Sequence, residues 1–300
     1  MEKYNKILNS RLNRNKNHIE RELKRILYDI IAPKVLKEVM FYAVLNGGKR
    51  IRPFIISEVS SLYKVKFSVF KYPAMAIEMA HCFSLIYDDL PCMDDDDLRR
   101  GKPSVHVKFG EANALLGGAS LLTYAYNILA SSKFSIENKN KINLINYLSN
   151  AIGHKGMLAG QFLDLEAENP NKKPTIRKFN NIQEKKTGLL IAFCCYAGGY
   201  IGNANKKELE SLYEFGLILG RIFQITDDIL DKEGTQKLLG KKVNKDEEQN
   251  KATLIKIKGI DFAKRELEKF SLQAKRKLLL LNKNTEVLSE LIDFLCSRTS

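Results

Sequence analysis

The segment HCFSLIYDDLPCMDDDDLRRG, His81 to Gly101, closes an apolar stretch and sets six aspartates within ten residues, Asp88 to Asp97. Ahead of it Met75, Met79, Cys82, Phe83 and Ile86 recur at three- and four-residue intervals, the spacing of a helix with an apolar face. The aspartates therefore gather at the end of that helix. Unit charges about 4 Å apart at a near-surface dielectric repel by about 4 kcal/mol, so several close pairs oppose folding unless cations are present. Asp88 and Asp94 are six apart and do not share a helical face. Pro91 interrupts the run, because proline cannot continue a helix without breaking it, and a bulge at Pro91-Cys92 restores the alignment of the two acids. Arg99 and Arg100 follow with the bidentate forks that phosphate oxygens favour.

A second acidic cluster, Asp227-Asp228-Ile229-Leu230-Asp231, ends another stretch of helical periodicity that runs through Leu212, Phe215, Leu219, Ile222, Phe223 and Ile225. Asp227 and Asp231 are four apart, so on a helix they share a face about 6 Å apart along the axis. Like charges at that spacing are mildly destabilising without a cation between them. One reading is a solvated acidic helix end. The other is a pair of carboxylates on a cavity rim, since Arg221 to Ile225 is largely apolar and partly buried acids need a partner. Paired carboxylates make a hard-oxygen site for Mg²⁺, which commonly binds through one or two carboxylates plus a substrate's phosphates. Two such half-sites facing each other clamp a diphosphate.

The rest of the chain reads as helix. Glu111 to Ala130 and Ile142 to Phe162 form further long apolar helices, and strand signals are almost absent. Breaks fall at Asn46-Gly47-Gly48, Pro91, Gly101-Lys102-Pro103 and around Pro170 to Pro174, while Ser131 to Asn140 and Glu233 to Asn250 read as polar loops. With 300 residues, no long linker and no internal repeat, the pattern predicts an all-α, single-domain bundle over residues 1–300.

Composition narrows the partners. The net charge of +14 comes from scattered lysines rather than one stripe, so a nucleic-acid surface is not indicated. Cys82, Cys92, Cys194, Cys195 and Cys296 form no C-x-x-C pair and have no zinc-ligand spacing with the four histidines. That odd set, with no signal-peptide pattern at the N-terminus, predicts a reducing, cytoplasmic setting. The longest weakly polar run, Leu189 to Gly202, is too short to span a bilayer.

Two basic stretches complete the pattern. Gly47-Gly48-Lys49-Arg50-Ile51-Arg52-Pro53 is a glycine-opened loop with three cations, suited to cradle a diphosphate. Lys185-Lys186-Thr187-Gly188 opens an apolar helix, and its N-terminus is an expected anion site. His81 lies two turns before Asp88 on the same face, either a satisfied core histidine or a site residue.

Together GGKRIRP, the segment His81 to Asn113, GQFLDLEAE, KKTG and FQITDDILD resemble the trans-polyprenyl diphosphate synthases, and within them the bacterial farnesyl diphosphate synthases. The likeness runs from about Leu45 to Lys251. It implies the isoprenoid synthase fold around a central cavity and a head-to-tail prenyl transfer, in which an allylic diphosphate held by three Mg²⁺ ionises and isopentenyl diphosphate attacks. By this resemblance Asp88, Asp94, Asp227 and Asp231 are metal ligands. Arg99, Lys186, Lys241 and Lys251 serve the allylic diphosphate and its closing loop. Lys49, Arg52, His81 and Arg100 take isopentenyl diphosphate, and Thr187 and Gln224, with Lys186, line the developing carbocation. Phe83, with Ser84 beside it, sets the product length at fifteen carbons, and the chain is expected to form a homodimer. Two positions depart from the family pattern: Ala119 stands for an aspartate, and Leu254-Ile255 for an aromatic-Pro pair. Geranyl or geranylgeranyl diphosphate synthesis, a non-catalytic partner subunit and an acidic Ca²⁺-binding protein are the competing readings. Intact acids in both clusters speak against the second, and Lys49, Arg52 and Lys186 have no use in the third.

Overall fold

Leu8, Leu12, Ile19, Leu23 and Leu27 recur in steps of four and seven and are buried, while the residues between them are mostly charged. This is the pattern of a helix lying on a core, α1 (Glu2–Asp29). At the other extreme, every residue from Leu190 to Gly199 is buried, so that helix runs through the middle of the molecule. A computed structural model of the chain describes residues 2–168, 175–233 and 253–297. Its further elements are α2 (Lys34–Leu45), α3 (Ile51–Leu62), α4 (Phe67–Asp88), β1 (Leu98–Arg99), β2 (Lys102–Pro103), α5 (Val105–Phe109) and α6 (Glu111–Ala130). Then come α7 (Asn138–Ile152), α8 (Met157–Ala167), α9 (Ile176–Gln183), a π-helical turn (Glu184–Gly188), α10 (Leu189–Ile201), α11 (Lys206–Glu233), α12 (Leu254–Lys258), α13 (Ile260–Leu279) and α14 (Glu286–Ser297).

The expected all-α bundle is what forms. Among the described residues the only strands are β1 and β2, a two-residue antiparallel ribbon pairing Leu98 with Pro103 and Arg99 with Lys102. α4 packs on α6 and α3, and α10 packs on α11, α3 and α7. Gly198 meets Val59, and four residues on Gly202 meets Tyr63, so α3 and α10 run parallel. Each returns through a short turn as α4 and α11. The C-terminal ends of α4 and α11, which carry the two acidic clusters, therefore come back to the end of the bundle where α3 and α10 begin.

Three expectations are corrected. Ile142 to Phe162 is not one helix: α7 stops at Ile152 and α8 starts at Met157, with Gly153 and Gly156 between them. Lys185 to Gly188 do not open a helix either. They form the π turn that joins α9 to α10 without a break, and Leu189 N–H is already donated to the Glu184 carbonyl, so no ring of unused amides faces an anion there. The loop expected over Ser131 to Asn140 ends earlier, at the start of α7. Residues 234–250 and 170–174 lie outside the described residues.

Candidate active site

Where α4 ends, the backbone does what the bulge was expected to do. Asp94 N–H donates to the Asp88 carbonyl at 2.9 Å, Asp95 N–H to Leu90 at 3.1 Å and Asp96 N–H to Asp89 at 3.2 Å. The turn over Pro91-Cys92 thus folds the acidic run back onto the helix end and brings Asp94 beside Asp88. Asp95 sits at φ 49°, a conformation that aspartate tolerates better than most residues. Burial first, and then the charge of Asp94, push the Asp88 carboxyl up to about 6 although Lys186 pulls it down.

The arginine pair is held by opposite means. Arg99 forks onto Asp89, with Nε 2.9 Å from Oδ1 and 3.2 Å from Oδ2, and its Nη2 reaches Asp96 at 3.4 Å. Arg100 and Gly101 both have positive φ, 55° and 76°, the geometry of the tight turn between two antiparallel strands. The Arg100 guanidinium is thereby turned back to donate to the Gly47 carbonyl. It lies so close to Gly48 that a Cβ there would stand 2.7 Å from Cζ, and Gly48 adopts φ 110°. Next along the chain, Arg52 Nη1 is 3.3 Å from His81 Nε2. Burial, followed by the charges of Arg52 and Arg100, holds His81 well below its ordinary value, so the neutral ring accepts from Arg52. Lys49 Nζ stands 4.8 Å above the Phe294 ring. Arg52 of α3, His81 of α4 and Arg100 of the β1–β2 turn thus gather beside the Gly47–Gly48 loop, while Lys49 is exposed beside Phe294.

Lys186 projects from the π turn to Asp164 Oδ2 at 2.7 Å. Burial draws its ammonium down, but Asp164, Asp88 and Asp94 outweigh that and hold it above the usual lysine value. Lys186 therefore connects the π turn electrostatically to the first acidic cluster. Asp164 stands within GQFLDLEAE, where no spacing marks its acid as the partner of Lys186. On α11 the two acids of interest differ, Asp227 being exposed and Asp231 buried. Asp228 is occupied otherwise, accepting from Gln224 Nε2 at 2.9 Å and from Leu254 N–H at 3.0 Å. The amide of Gln224 is thus turned with its N–H group toward Asp228. Thr187 lies on the π turn beside Lys186. Phe83 is buried with its ring 4.6 Å from that of Tyr87, and Ser84 Oγ donates to the His81 carbonyl. Lys241 and Lys251 lie outside the described residues.

Among the described residues no three His, Cys, Asp or Glu side chains converge on one point. The site instead offers carboxylates in ones and twos, with Arg and Lys nearby. That donor set suits Mg²⁺, which keeps open positions for phosphate oxygens, better than an ion needing an all-protein cage. Asp88, pushed up by burial and crowded by Asp94, is the kind of carboxylate a divalent cation relieves.

A family model described as "Polyprenyl synthetase" matches residues 33–289. The chain belongs to this family. It is 39% identical over 284 residues to the farnesyl diphosphate synthase of Bacillus subtilis, covering 94% of this chain and 95% of that one. The structure of an FPP/GFPP synthase from Zymomonas mobilis superposes with a TM-score of 0.86 at 33% identity, over 96% of this chain and 98% of that one. A geranyltransferase of Helicobacter pylori, solved with magnesium and isoprenyl diphosphate, gives a TM-score of 0.81 at 30% identity over 96% of each chain. The fold is that of the isoprenyl synthases, as the family resemblance implied.

Proposed function

We propose that the chain is a trans-prenyltransferase that condenses isopentenyl diphosphate with dimethylallyl or geranyl diphosphate and releases (2E,6E)-farnesyl diphosphate. The observation that carries this reading is the convergence, at one end of the bundle, of two aspartate-bearing helix ends with two separate sets of cations. One set is Arg99 and Lys186, each already paired with a carboxylate, Asp89 and Asp164. The other is Arg52 and Arg100 beside His81, with Lys49 following Gly47 and Gly48 in the loop that Arg100 holds. Two sets of cations suit two diphosphates, as a reaction joining two diphosphate esters requires.

In this reading Asp88, Asp94, Asp227 and Asp231 hold Mg²⁺, three ions per site, which supply Lewis-acid stabilisation of the departing diphosphate. Arg99 and Lys186 orient the allylic diphosphate, and Lys241 and Lys251 join them. Lys49, Arg52 and Arg100 bind isopentenyl diphosphate, while neutral His81 fixes the Arg52 fork. The Thr187 hydroxyl and the Gln224 carbonyl oxygen present dipoles to the allylic carbon as it becomes positive, and apolar walls keep water away from it. Phe83, one and a half turns deeper than Asp88, closes the pocket at fifteen carbons.

The homodimer expected from the family is supported by an apolar stripe on α6, where Leu115 and Leu116 are 42% and 62% exposed, with Val107 on α5 nearby at 50%. Ala119 lies on the same exposed side of α6, so loss of the usual acid there extends the stripe. A cytoplasmic location accords with five free cysteines and with the absence, among the described residues, of a helix long and apolar enough to cross a membrane. The test is product chromatography with labelled isopentenyl diphosphate, each allylic diphosphate in turn, and Mg²⁺ or a chelator. Farnesyl diphosphate formed only with Mg²⁺ is expected. Geranylgeranyl diphosphate as main product would correct the chain length, and no product with any allylic partner would refute the reading.

A further inference from the structure

Arg50 stands between Lys49 and Arg52 yet points the other way. Its backbone is in the left-handed region at φ 54°, and its side chain is buried where Lys49 beside it is exposed. The guanidinium is completely buried and satisfied on three sides, each from a different helix. Nε donates to Glu20 of α1 at 3.0 Å, Nη1 to Glu78 of α4 at 2.6 Å, and Nη2 to the Val44 carbonyl of α2 at 2.6 Å. Glu78 is itself buried and lies one turn before His81 on α4. The Arg50 carbonyl accepts the N–H of Phe54 and so starts α3, the helix that carries Arg52. A side chain with three fixed partners therefore sets where the loop Gly47–Arg52 stands relative to His81.

A buried ion pair is weak support for stability, because desolvation offsets the attraction, and its better-attested use is to fix register. Gly47, Gly48 and Arg50 all have positive φ, so the loop has little regular structure of its own to hold it. We propose that Arg50, with Glu78 and Glu20, is a positioning residue for the isopentenyl diphosphate half of the site, holding Lys49 and Arg52 in register with His81. This rests on the functional reading above, and the arms of the test separate the two.

The variants are Glu78→Gln, Glu20→Gln and Arg50→Lys, compared with Arg52→Ala, with each substrate varied in turn and folding followed by circular dichroism. Glutamine keeps the shape at positions 78 and 20 and removes one charge, and lysine cannot reach all three partners of Arg50. Glu78→Gln and Arg50→Lys should raise the Michaelis constant for isopentenyl diphosphate about tenfold, the loss of one charge-assisted contact in the loop's placement. Glu20→Gln, at the wetter edge, should raise it less. The allylic constant and the saturated rate should stay within about threefold. A general scaffold would lower the active fraction and melting temperature and leave both Michaelis constants alone, and that result overturns the proposal. If Arg52→Ala weakens isopentenyl diphosphate and none of the folded positioning variants does, the proposal fails while the functional reading stands. If Arg52→Ala itself leaves that constant unchanged, the assignment of the subsite is wrong and the proposal falls with it. Should Arg50→Lys not fold, the two glutamine variants decide.

Discussion

Adding one methyl group at Gly160 should damage catalysis from a position that touches no substrate. An ideal Cβ on Gly160 would stand 2.3 Å from Lys186 N and 2.6 Å from Lys186 Cα. Ordinary contact begins at 3.4 Å, so 3.4 − 2.3 gives about 1.1 Å by which α8 and the π turn must part. Both sides of the contact are backbone, and neither can swing away as a side chain would. Overpacking of this kind costs about 1–3 kcal/mol of stability. The larger effect is geometric: Lys186 and Thr187 move by on the order of 1 Å, and a displacement of that size costs about a hundredfold in turnover. It also strains the Lys186–Asp164 pair, now 2.7 Å long. Gly198→Ala is the control, because its Cβ would meet Val59 Cβ at 2.8 Å in a helix-to-helix contact three turns further along the same continuous helix. Steady-state kinetics with the allylic diphosphate varied, alongside thermal melts, compare the two. Both variants should melt lower, and only Gly160→Ala should lose kcat/KM by about two orders of magnitude. Equal kinetic losses in both, or a Gly160→Ala enzyme within threefold of wild type, would show that the π turn does not position Lys186 for the reaction.

Two other perturbations address the floor of the pocket and its histidine. Phe83→Ala removes a buried ring at a cost of about 3–5 kcal/mol, which a domain of ordinary stability survives, and should shift products toward geranylgeranyl diphosphate. A folded variant that still stops at fifteen carbons would move the floor to another group, with Tyr87 the ring in contact with Phe83. His81, held low in the folded chain by burial and by Arg52, takes up a proton only on unfolding near pH 6.5. The stability this contributes is complete above that pH and is lost as pH falls below it, by up to about 1.4 kcal/mol per unit. Urea melts of the substrate-free protein from pH 7 to 5 should show a shallower dependence in His81→Gln, and identical slopes would refute a neutral His81.

The helical character of the chain was legible because apolar residues recur at helical spacing over long stretches, as from Met75 to Ile86 and from Leu212 to Ile225. The turn at Pro91-Cys92 was legible too, since proline and crowded carboxylates leave few ways to continue. Periodicity alone did not find the break between α7 and α8, because Met157 and Phe162 continue the apolar beat across two glycines that end the helix. The π turn is hidden for a related reason: KKTG looks like a helix opening, whereas α9 runs into it and consumes its amides. Asp164 and Arg50 were present in recognised motifs, but their roles depend on partners 22 and 28 residues away, Lys186 and Glu78, and no spacing rule reaches across that distance. Asp228 shows the converse, an acid inside a metal-like motif whose carboxylate holds the start of α12.

The central claim is that two acidic clusters, 139 residues apart from Asp88 to Asp227, serve one diphosphate. Titration calorimetry with inorganic pyrophosphate and Mg²⁺ on the wild-type chain, Asp88→Ala and Asp227→Ala tests it without requiring turnover. Each substitution should weaken the same Mg²⁺-dependent binding event by about tenfold or more, with circular dichroism unchanged. If either variant binds pyrophosphate as the wild type does, or if each abolishes a different one of two independent events, the clusters do not share a ligand.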